Sequence, residues 1–225
     1  DVFMKKEGYD DAYYSGRNFT DKKRLESFDL EKEFIDRYID TDKSNICDVG
    51  CSTGEFLEHV KWRGNRYGME INNNVIKIAE SRDISFDKNI KTEENYFDVC
   101  LFRGVIQHLP EPFTYLQHAH KSLKKGAHIV FLATPNANSL VYKIFSTLPM
   151  LTPKKNYYIP SDIGLKKALE NMGFKIVDIE YPYLSTPYQK LITDHAKFIL
   201  KFFYRKQKCN FAFWKNSMNI IAIKE

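Results

Sequence analysis

The stretch ICDVGCSTGEFL, residues 46–57, determines how the rest of this chain is interpreted. A short apolar run stops at Gly50, small residues continue to Gly54, and a helical pattern begins at Glu55. Small residues in such a bend leave backbone N–H groups exposed, and a ligand can approach without meeting a Cβ atom. The pattern therefore predicts a strand, a ligand-binding turn and the start of a helix.

Two common nucleotide fingerprints do not fit this turn. The dinucleotide motif G-x-G-x-x-G needs glycine at positions 52 and 55, where the chain has Ser52 and Glu55. The phosphate-binding motif G-x-x-x-x-G-K-[ST] needs a Gly-Lys pair, and none follows Gly50 at that spacing. A nicotinamide-dependent dehydrogenase is therefore disfavoured.

A second acidic residue lies at an informative distance from the turn. Glu70 ends the next predicted strand, about 20 positions after Gly50, which is the interval that places a carboxylate beside the ribose of a bound nucleoside. A carboxylate accepts hydrogen bonds from both hydroxyls of a vicinal diol. Glu70 alone would be interpreted as a solvated charge, but together with the turn it predicts ribose binding.

Strand and helix patterns alternate on both sides of the turn. The predicted strands cover residues 45–49, 66–71, 84–86, 97–102, 127–132, 174–179 and 217–223. Asp21 caps a predicted N-terminal helix, and Ser161 caps another over residues 162–172. This alternation is typical of a parallel sheet with right-handed crossovers and helices on both faces.

Composition excludes several classes of protein. The 34 Lys and Arg residues against 29 Asp and Glu give a charge of +5, and the basic residues are dispersed apart from one helix, so no nucleic acid is expected. Four cysteines without a C-x-x-C pair favour a reduced, cytoplasmic protein. We expect a soluble chain, since it has no membrane-span pattern and no signal-peptide core. We also expect no catalytic metal, since no ligand spacing indicates one.

These features resemble the class I S-adenosylmethionine-dependent methyltransferases. The resemblance is carried by DVGCSTG at 48–54, by Glu70, by FDV at 97–99 and by RGVIQHL at 103–109. It implies an α/β fold of three layers, doubly wound around a mostly parallel seven-stranded sheet whose last strand is antiparallel. One methyltransferase domain over 1–225 follows, with an N-terminal segment and helix (1–40), a cofactor-binding half (45–135) and a substrate-side elaboration (136–225).

The resemblance also implies which residues bind S-adenosylmethionine and its product S-adenosylhomocysteine. Asp48, Gly50 and Gly54 would border the amino acid part of the cofactor, and Glu70 its ribose. Phe86 or Asp87 would lie near the adenine, and Phe102 with Arg103 near the methionine portion. The full predicted set is Asp48, Gly50, Cys51, Ser52, Gly54, Glu70, Ile71, Phe86, Asp87, Phe102 and Arg103.

His108 is the candidate catalytic base. It follows the fourth predicted strand by a few residues, and an imidazole titrates near neutral pH. A structural histidine that hydrogen-bonds the backbone of its own loop is an equally good interpretation.

Aromatic residues dominate the predicted loops above the strand ends, where specificity resides in this fold. Aromatic faces stack on sugar rings or planar ligands, and phenol or guanidinium groups bind hydroxyls or phosphates. The predicted substrate contacts are Tyr13, Tyr14, Arg17, Tyr158, Tyr183, Tyr188 and His195. Alternatively, several of these tyrosines pack in the protein with one edge in solvent. His195 is interpreted equally well as a residue that packs at the start of a helix.

The C-terminal half is similar to bacterial methyltransferases of capsule and lipopolysaccharide synthesis, through FLATPNANS at 131–139, YPYLSTPY at 181–188 and FWKNSMN at 213–219. This similarity implies O-methylation of a sugar or surface-glycan precursor. Three alternatives remain open: another small metabolite with an O-, N- or C-acceptor, a lipid-quinone ring, and a non-catalytic S-adenosylmethionine-binding partner subunit. Either a monomer or a homodimer is expected.

Residues 197–208 combine basic and apolar side chains without an acidic one. Such an amphipathic helix could rest on an anionic membrane. We expect at most peripheral membrane contact, because such a helix more often packs its apolar face over its own domain and leaves its lysines in solvent.

Overall fold

A computed structural model describes residues 21–86, 94–151, 155–203 and 209–225. The strands of its sheet are β1 (Ile46–Val49), β2 (Arg66–Met69), β3 (Phe97–Arg103), β4 (Leu123–Pro135), β5 (Phe174–Glu180) and β6 (Ser217–Lys224). Their order is β2-β1-β3-β4-β6-β5. The pairs among β1, β2, β3 and β4 are parallel, whereas β6 is antiparallel to both β4 and β5. The predicted mostly parallel sheet with an antiparallel last strand is confirmed.

Two of the described helices begin at the caps that the sequence predicts, Asp21 and Ser161. The described helices are α1 (Lys22–Asp36), α2 (Glu55–His59), α3 (Asn73–Glu80), α4 (Pro112–Ser122), α5 (Leu140–Phe145), α6 (Asp162–Asn171) and α7 (Leu191–Phe203), with a short 3-10 helix at Ile106–His108. The Asp21 carboxylate accepts from the Lys23 N–H at 3.0 Å, and the Ser161 hydroxyl accepts from the Gly164 N–H at 3.1 Å. These bonds satisfy N–H groups that a helix leaves unpaired in its first turn.

The sheet has six strands in the described part of the chain, where the sequence predicts seven. The predicted strand at 84–86 is represented by a single parallel bridge between Ser85 and Tyr67 on β2. The Gly68 N–H donates to the Ser85 carbonyl, and the Ser85 N–H donates to the Arg66 carbonyl, both at 2.9 Å. The apolar run is only three residues long, so little sequence supports a longer strand at this edge.

Apolar residues cover both faces of the sheet, as expected for parallel strands between two helical layers. On one face, Phe102 and Phe131 join residues of α4 and α6 in a buried cluster. On the other, Leu101 and Val130 join Phe28 of α1 and residues of α2. Successive strand residues therefore point into opposite clusters, so the sheet lies between two layers of helices.

The strand order creates a crevice at one edge of the sheet. β1 lies between β2 on one side and β3 on the other, so the connection from β1 to β2 and the connection from β3 to β4 run in opposite directions. Ligands of open α/β sheets bind outside the carboxyl ends of the strands at such a switch point. Gly50 follows β1 and Glu70 follows β2 at this position.

Candidate functional site

The turn after β1 requires its glycines. Gly50 has φ 73° and Gly54 has φ 74°, both in the left-handed region that favours glycine, and Ser52 between them has φ 54°. A Cβ atom on Gly50 would overlap the side chain of Val105, and one on Gly54 would overlap that of Ile84. The backbone conformation and the close packing therefore both require glycine at these two positions.

Glu70 contacts the turn directly. The Ser52 N–H donates to Glu70 Oε2 at 3.1 Å, while Glu70 Oε1 accepts from the N–H groups of Ile71 at 2.7 Å and Asn72 at 3.2 Å. The turn itself is held to β2, because the Gly50 N–H donates to the Met69 carbonyl at 2.7 Å. The structure thus brings together the glycine turn and the carboxylate that the sequence places one crossover later.

Asp48 is the buried acid of the site. It lies within β1, and its Oδ1 has no hydrogen-bond partner among the described residues. Burial raises the pKa of its carboxyl to about 8; the charge of Arg103 lowers that pKa and the charge of Glu70 raises it. A buried carboxyl oxygen without a hydrogen bond is costly, and a ligand group that donates a hydrogen bond to it would remove that cost.

Phe86 and Cys51 close over Gly68 on the neighbouring strand. A Cβ atom on Gly68 would lie 2.7 Å from both the Cys51 sulfur and the Phe86 ring. Ile71 is exposed at the end of β2. Cys51, Ile71 and Phe86 of the predicted cofactor set therefore border the same strand as Glu70, whereas Asp87 lies outside the described residues.

The side chains of Phe102 and Arg103 both have partners within the protein, and their place beside the methionine portion stays a prediction. Phe102 is fully buried and stacks on Phe131, with ring centroids 5.1 Å apart. The Arg103 guanidinium forms two hydrogen bonds to Glu31, at 2.6 and 3.1 Å, and lies 4.3 Å from the ring centroid of Phe28. Their alternation on β3 sends one side chain into the core and the other towards α1.

Helix α1 is a part of the site that the sequence did not predict. Besides the Glu31 pair with Arg103, Arg24 contacts Glu55 at the start of α2 at 3.0 Å. The Phe28 ring packs edge-on against Phe56 of α2, at 5.3 Å. A signal was present, since Glu31 is a charged residue within an apolar helical stripe, which is typical of a buried ion pair.

His108 joins the 3-10 helix to the segment before α6. Its Nδ1 lies 2.9 Å from the Lys155 carbonyl, and its Nε2 lies 3.1 Å from the side-chain nitrogen of Gln107. These contacts define a tautomer in which Nδ1 donates and Nε2 accepts. The backbone bond is to a distant segment and not to the histidine's own loop. To act as a base, His108 would have to release the Gln107 amide from Nε2 and bind there the hydroxyl of the molecule that is methylated.

The structure describes four of the seven predicted substrate residues, and these four have different surroundings. Tyr158 is half-buried next to the His108 region, where the Tyr157 N–H donates to the Gln107 carbonyl at 2.9 Å, and burial raises the pKa of the Tyr158 hydroxyl. Tyr183 is buried and its hydroxyl donates to Asp194 at 3.1 Å, so its ring has little surface for a ligand. Tyr188 is exposed. Tyr13, Tyr14 and Arg17 lie outside the described residues.

His195 belongs to the surface around α7. Its Nδ1 lies 2.7 Å from the Leu191 carbonyl in the first turn of the helix. Its ring lies 5.2 Å from that of Phe213 and 5.9 Å from that of Trp214. These contacts correspond to packing at a helix start.

A second buried acid connects the ends of β4 and β5. Asp162 accepts from the Asn138 amide at 2.7 Å and from the Tyr181 hydroxyl at 2.6 Å. Burial opposes ionisation, but these hydrogen bonds together hold the pKa of Asp162 below its usual value. Burial and the bond to Asp162 raise the pKa of Tyr181 to about 12. Sequence analysis identified Asp162 only as the first residue of a helix.

The described ranges contain neither a cluster of metal ligands nor a membrane-spanning helix. No group of three or more His, Cys, Asp and Glu residues within them is placed to hold a metal ion. None of the helices in those ranges has the length and apolar character needed to cross a bilayer.

The sheet order, the glycine turn after β1 and the acid after β2 define the class I methyltransferase fold. A family model described as a methyltransferase domain matches residues 22–179, so the chain belongs to that family. A crystal structure of a SAM-dependent methyltransferase from Archaeoglobus fulgidus has a similar fold, with a TM-score of 0.61, 22% identity, and coverage of 96% of this chain and 100% of that one.

The curated relatives include several ubiquinone biosynthesis O-methyltransferases. That of Hydrogenovibrio crunogenus is 29% identical over 50% of this chain and 52% of its own length. The mitochondrial protein of Saccharomyces cerevisiae is 23% identical over 74% of this chain and 60% of its own length. The Pseudomonas aeruginosa protein is 25% identical over 73% of this chain and 80% of its own length. The chain thus spans about half to four fifths of these relatives.

These relatives correct one expectation. The sequence motifs suggested a resemblance to enzymes of capsule and lipopolysaccharide synthesis, but the relatives named above belong to ubiquinone biosynthesis. The motifs behind that expectation include residues 131–135 of β4 and 217–219 of β6, and Tyr181 and Tyr183 bond to the buried acids Asp162 and Asp194. Packing constrains the sequence at these positions without specifying a substrate.

Proposed function

We propose that this protein transfers a methyl group from S-adenosylmethionine to an oxygen of a small-molecule acceptor. The observation that carries the proposal is the contact between Glu70 and the Ser52 N–H, which places an acid and a glycine turn together at the sheet's switch point. Membership of the methyltransferase-domain family and the O-methyltransferase names of the relatives support the reaction type.

The residues at the turn fit this cofactor. Asp48 offers a buried carboxyl oxygen to a cationic group, and S-adenosylmethionine carries an ammonium and a sulfonium. Glu70 offers carboxylate oxygens to the ribose hydroxyls, and Gly50 permits close approach of the backbone. When bound, the cofactor supplies an already activated methyl group, so the protein has to align the acceptor and exclude water.

We assign His108 the role of general base: its Nε2 takes the proton from the hydroxyl that is methylated. The Lys155 carbonyl fixes the ring by holding the proton on Nδ1. The Gln107 amide at Nε2 shows that this nitrogen is presented as an acceptor. A hydroxyl that replaced the amide would then donate to the same atom.

For the acceptor we favour a lipid-quinone ring hydroxyl over a surface glycan. The names of the relatives concern ubiquinone biosynthesis, and the half-buried Tyr158 beside the His108 region offers an aromatic ring to a planar ligand. The glycan hypothesis rests on sequence motifs alone, so it serves as the comparison in an acceptor screen.

The test pairs calorimetry with a turnover assay. Glu70→Gln weakens binding of S-adenosylmethionine and S-adenosylhomocysteine by about tenfold or more, because it removes charge-assisted hydrogen bonds. Glu80→Gln, an exposed acid at the end of α3, is the matched control and binds normally. Failure of the unmodified protein to bind either compound would refute the proposal.

His108→Ala separates binding from chemistry. It leaves cofactor affinity unchanged and lowers kcat for a hydroxylated-ring acceptor about 100-fold, which is the usual contribution of a general base. The control is His118→Ala, an exposed histidine of α4. If His108→Ala keeps full turnover, His108 is not the catalytic base. If the unmodified protein binds the cofactor but releases no S-adenosylhomocysteine with any ring or sugar acceptor, a non-catalytic subunit is favoured.

A further inference from the structure

Helix α7 is oriented with its apolar residues outward. Ile192 is 88% exposed, Ile199 56% and Phe203 73%, and their spacing of seven and four residues places them on one side of the helix. Asp194 and Lys201, on the opposite side, are only 2% and 5% exposed. The expected arrangement, with apolar residues packed inward and lysines in solvent, is therefore wrong.

The inward charges explain this orientation. Asp194 accepts from the Tyr183 hydroxyl at 3.1 Å and from the Lys190 N–H at 2.8 Å. Lys201 Nζ lies 5.2 Å from the centroid of the Phe145 ring. The ring of Phe198 stacks on Phe213, with centroids 4.8 Å apart. These contacts fix the rotation of α7 about its axis, so the apolar stripe has to face away from the protein.

More exposed apolar groups border this stripe. Leu200 and Phe202 on the helix and Trp214 beside its first turn are exposed as well. Exposed apolar patches of this kind mark protein or membrane contacts in soluble domains. Tryptophan is favoured at the boundary between lipid and water, because its ring is apolar and its N–H is polar.

The charge around the stripe distinguishes between possible partners. Asp194 is buried on the inner side of α7, and the described residues from 195 to 224 contain no Asp or Glu. Lys190, one residue before α7, and Lys215, next to Trp214, are exposed. A second copy would oppose this basic region with an equally basic one across a two-fold axis. An anionic lipid surface complements both the charge and the apolar stripe.

We infer that α7 docks this protein onto an anionic phospholipid bilayer, with Ile192, Ile199 and Phe203 inserted at the interface. The helix lies parallel to the membrane, because its apolar stripe runs along one side. This inference does not depend on the proposed methyl transfer, since docking requires neither cofactor nor acceptor.

Vesicle sedimentation with the full chain tests the inference. The protein binds vesicles of phosphatidylcholine mixed with phosphatidylglycerol, binds phosphatidylcholine alone much more weakly, and is released by salt. The triple variant Ile192→Ser, Ile199→Ser, Phe203→Ser loses at least about tenfold in affinity for the anionic vesicles, because its buried apolar area falls. Its circular dichroism and melting temperature stay close to those of the unmodified protein, since the three side chains contact solvent.

The matched control replaces exposed apolar residues on other helices. Phe113→Ser, Leu140→Ser and Ile163→Ser alter similarly exposed side chains on α4, α5 and α6, and binding stays unchanged. Equal affinity of both triple variants, equal affinity for neutral and anionic vesicles, or no vesicle binding at all would each overturn the inference. So would a dimer in solution that the α7 substitutions dissociate, because a second copy would then cover the stripe.

Discussion

Asp48 shows how one residue can be unfavourable for folding and useful for binding. A carboxyl group in a buried strand loses its hydration, and Oδ1 gains no hydrogen bond from the described residues in return. The nearby Arg103 is already committed to Glu31 by two hydrogen bonds. The cost of this arrangement is a raised pKa, and its benefit is an oxygen ready for a cationic ligand.

The raised pKa of Asp48 predicts a pH-dependent stability. The carboxyl ionises near 3.8 in the unfolded chain and near 8 in the folded protein, so the unfolded chain loses its proton first. This residue therefore lowers the free energy of unfolding progressively as the pH rises from about 4 to about 8. Asp48→Asn removes this penalty, and urea denaturation should show its stabilising effect growing by about 3 kcal/mol between pH 5 and pH 7.5.

Asp83→Asn supplies the comparison for this measurement. The Asp83 side chain is 92% exposed, and asparagine tolerates its φ of 57°. Its effect on stability should vary little over the same pH range. An effect of Asp48→Asn that stays constant between the two pH values would show that Asp48 is ionised in the folded protein.

At the scale of elements, α1 is joined to the end of the sheet by buried charges. The Glu31 and Arg103 side chains are both largely buried, and Phe28 lies beneath the guanidinium. Removal of one partner from such a pair leaves the other buried without compensation. The position of α1 over α2 and the glycine turn therefore depends on this pair together with Arg24 and Glu55.

Glu31→Gln should lower the free energy of unfolding by about 3 kcal/mol, because Arg103 then keeps its charge without a carboxylate. Denaturant unfolding measures this loss. Glu33→Gln, an exposed acid on the same helix, should change stability by less than about 0.5 kcal/mol. Similar effects of the two substitutions would mean that the ion pair contributes no more than an ordinary surface charge.

At the scale of the whole molecule, β6 connects the two halves of the chain. It lies between β4 and β5 and pairs with both, so the last strand joins β5 to the rest of the sheet. Neither residues 45–135 nor residues 136–225 contain a complete sheet. We therefore expect the chain to unfold as one domain, although the two halves were given separate roles from the sequence.

The two tryptophans report on this cooperativity. Trp62 is buried in the cluster with α1 and α2, whereas Trp214 lies beside α7. Trp62→Phe and Trp214→Phe each leave a single tryptophan whose fluorescence reports unfolding near it. If the chain unfolds as one unit, the fluorescence midpoint of each variant equals the midpoint of its far-ultraviolet circular dichroism change. A fluorescence midpoint that departs from the circular dichroism midpoint in either variant would divide the chain into two folding units.

The sequence alone determined the fold class and the capped starts of two helices. Alternating hydrophobic periods, the glycine turn at 50–54 and the caps at Asp21 and Ser161 are local features, and local features depend on few neighbours. The spacing from the turn to Glu70 is also local, because one crossover has a nearly constant length. These predictions therefore needed no knowledge of distant contacts.

Only the tertiary structure decided which charged and aromatic side chains are available to ligands. Arg103 is bound by Glu31, 72 positions away, and His108 is held by Lys155, 47 positions away. The rotation of α7 likewise follows from the contacts of Asp194 and Lys201 beneath it. A residue's chemistry is fixed by its type, but its exposure depends on packing partners that sequence spacing does not encode.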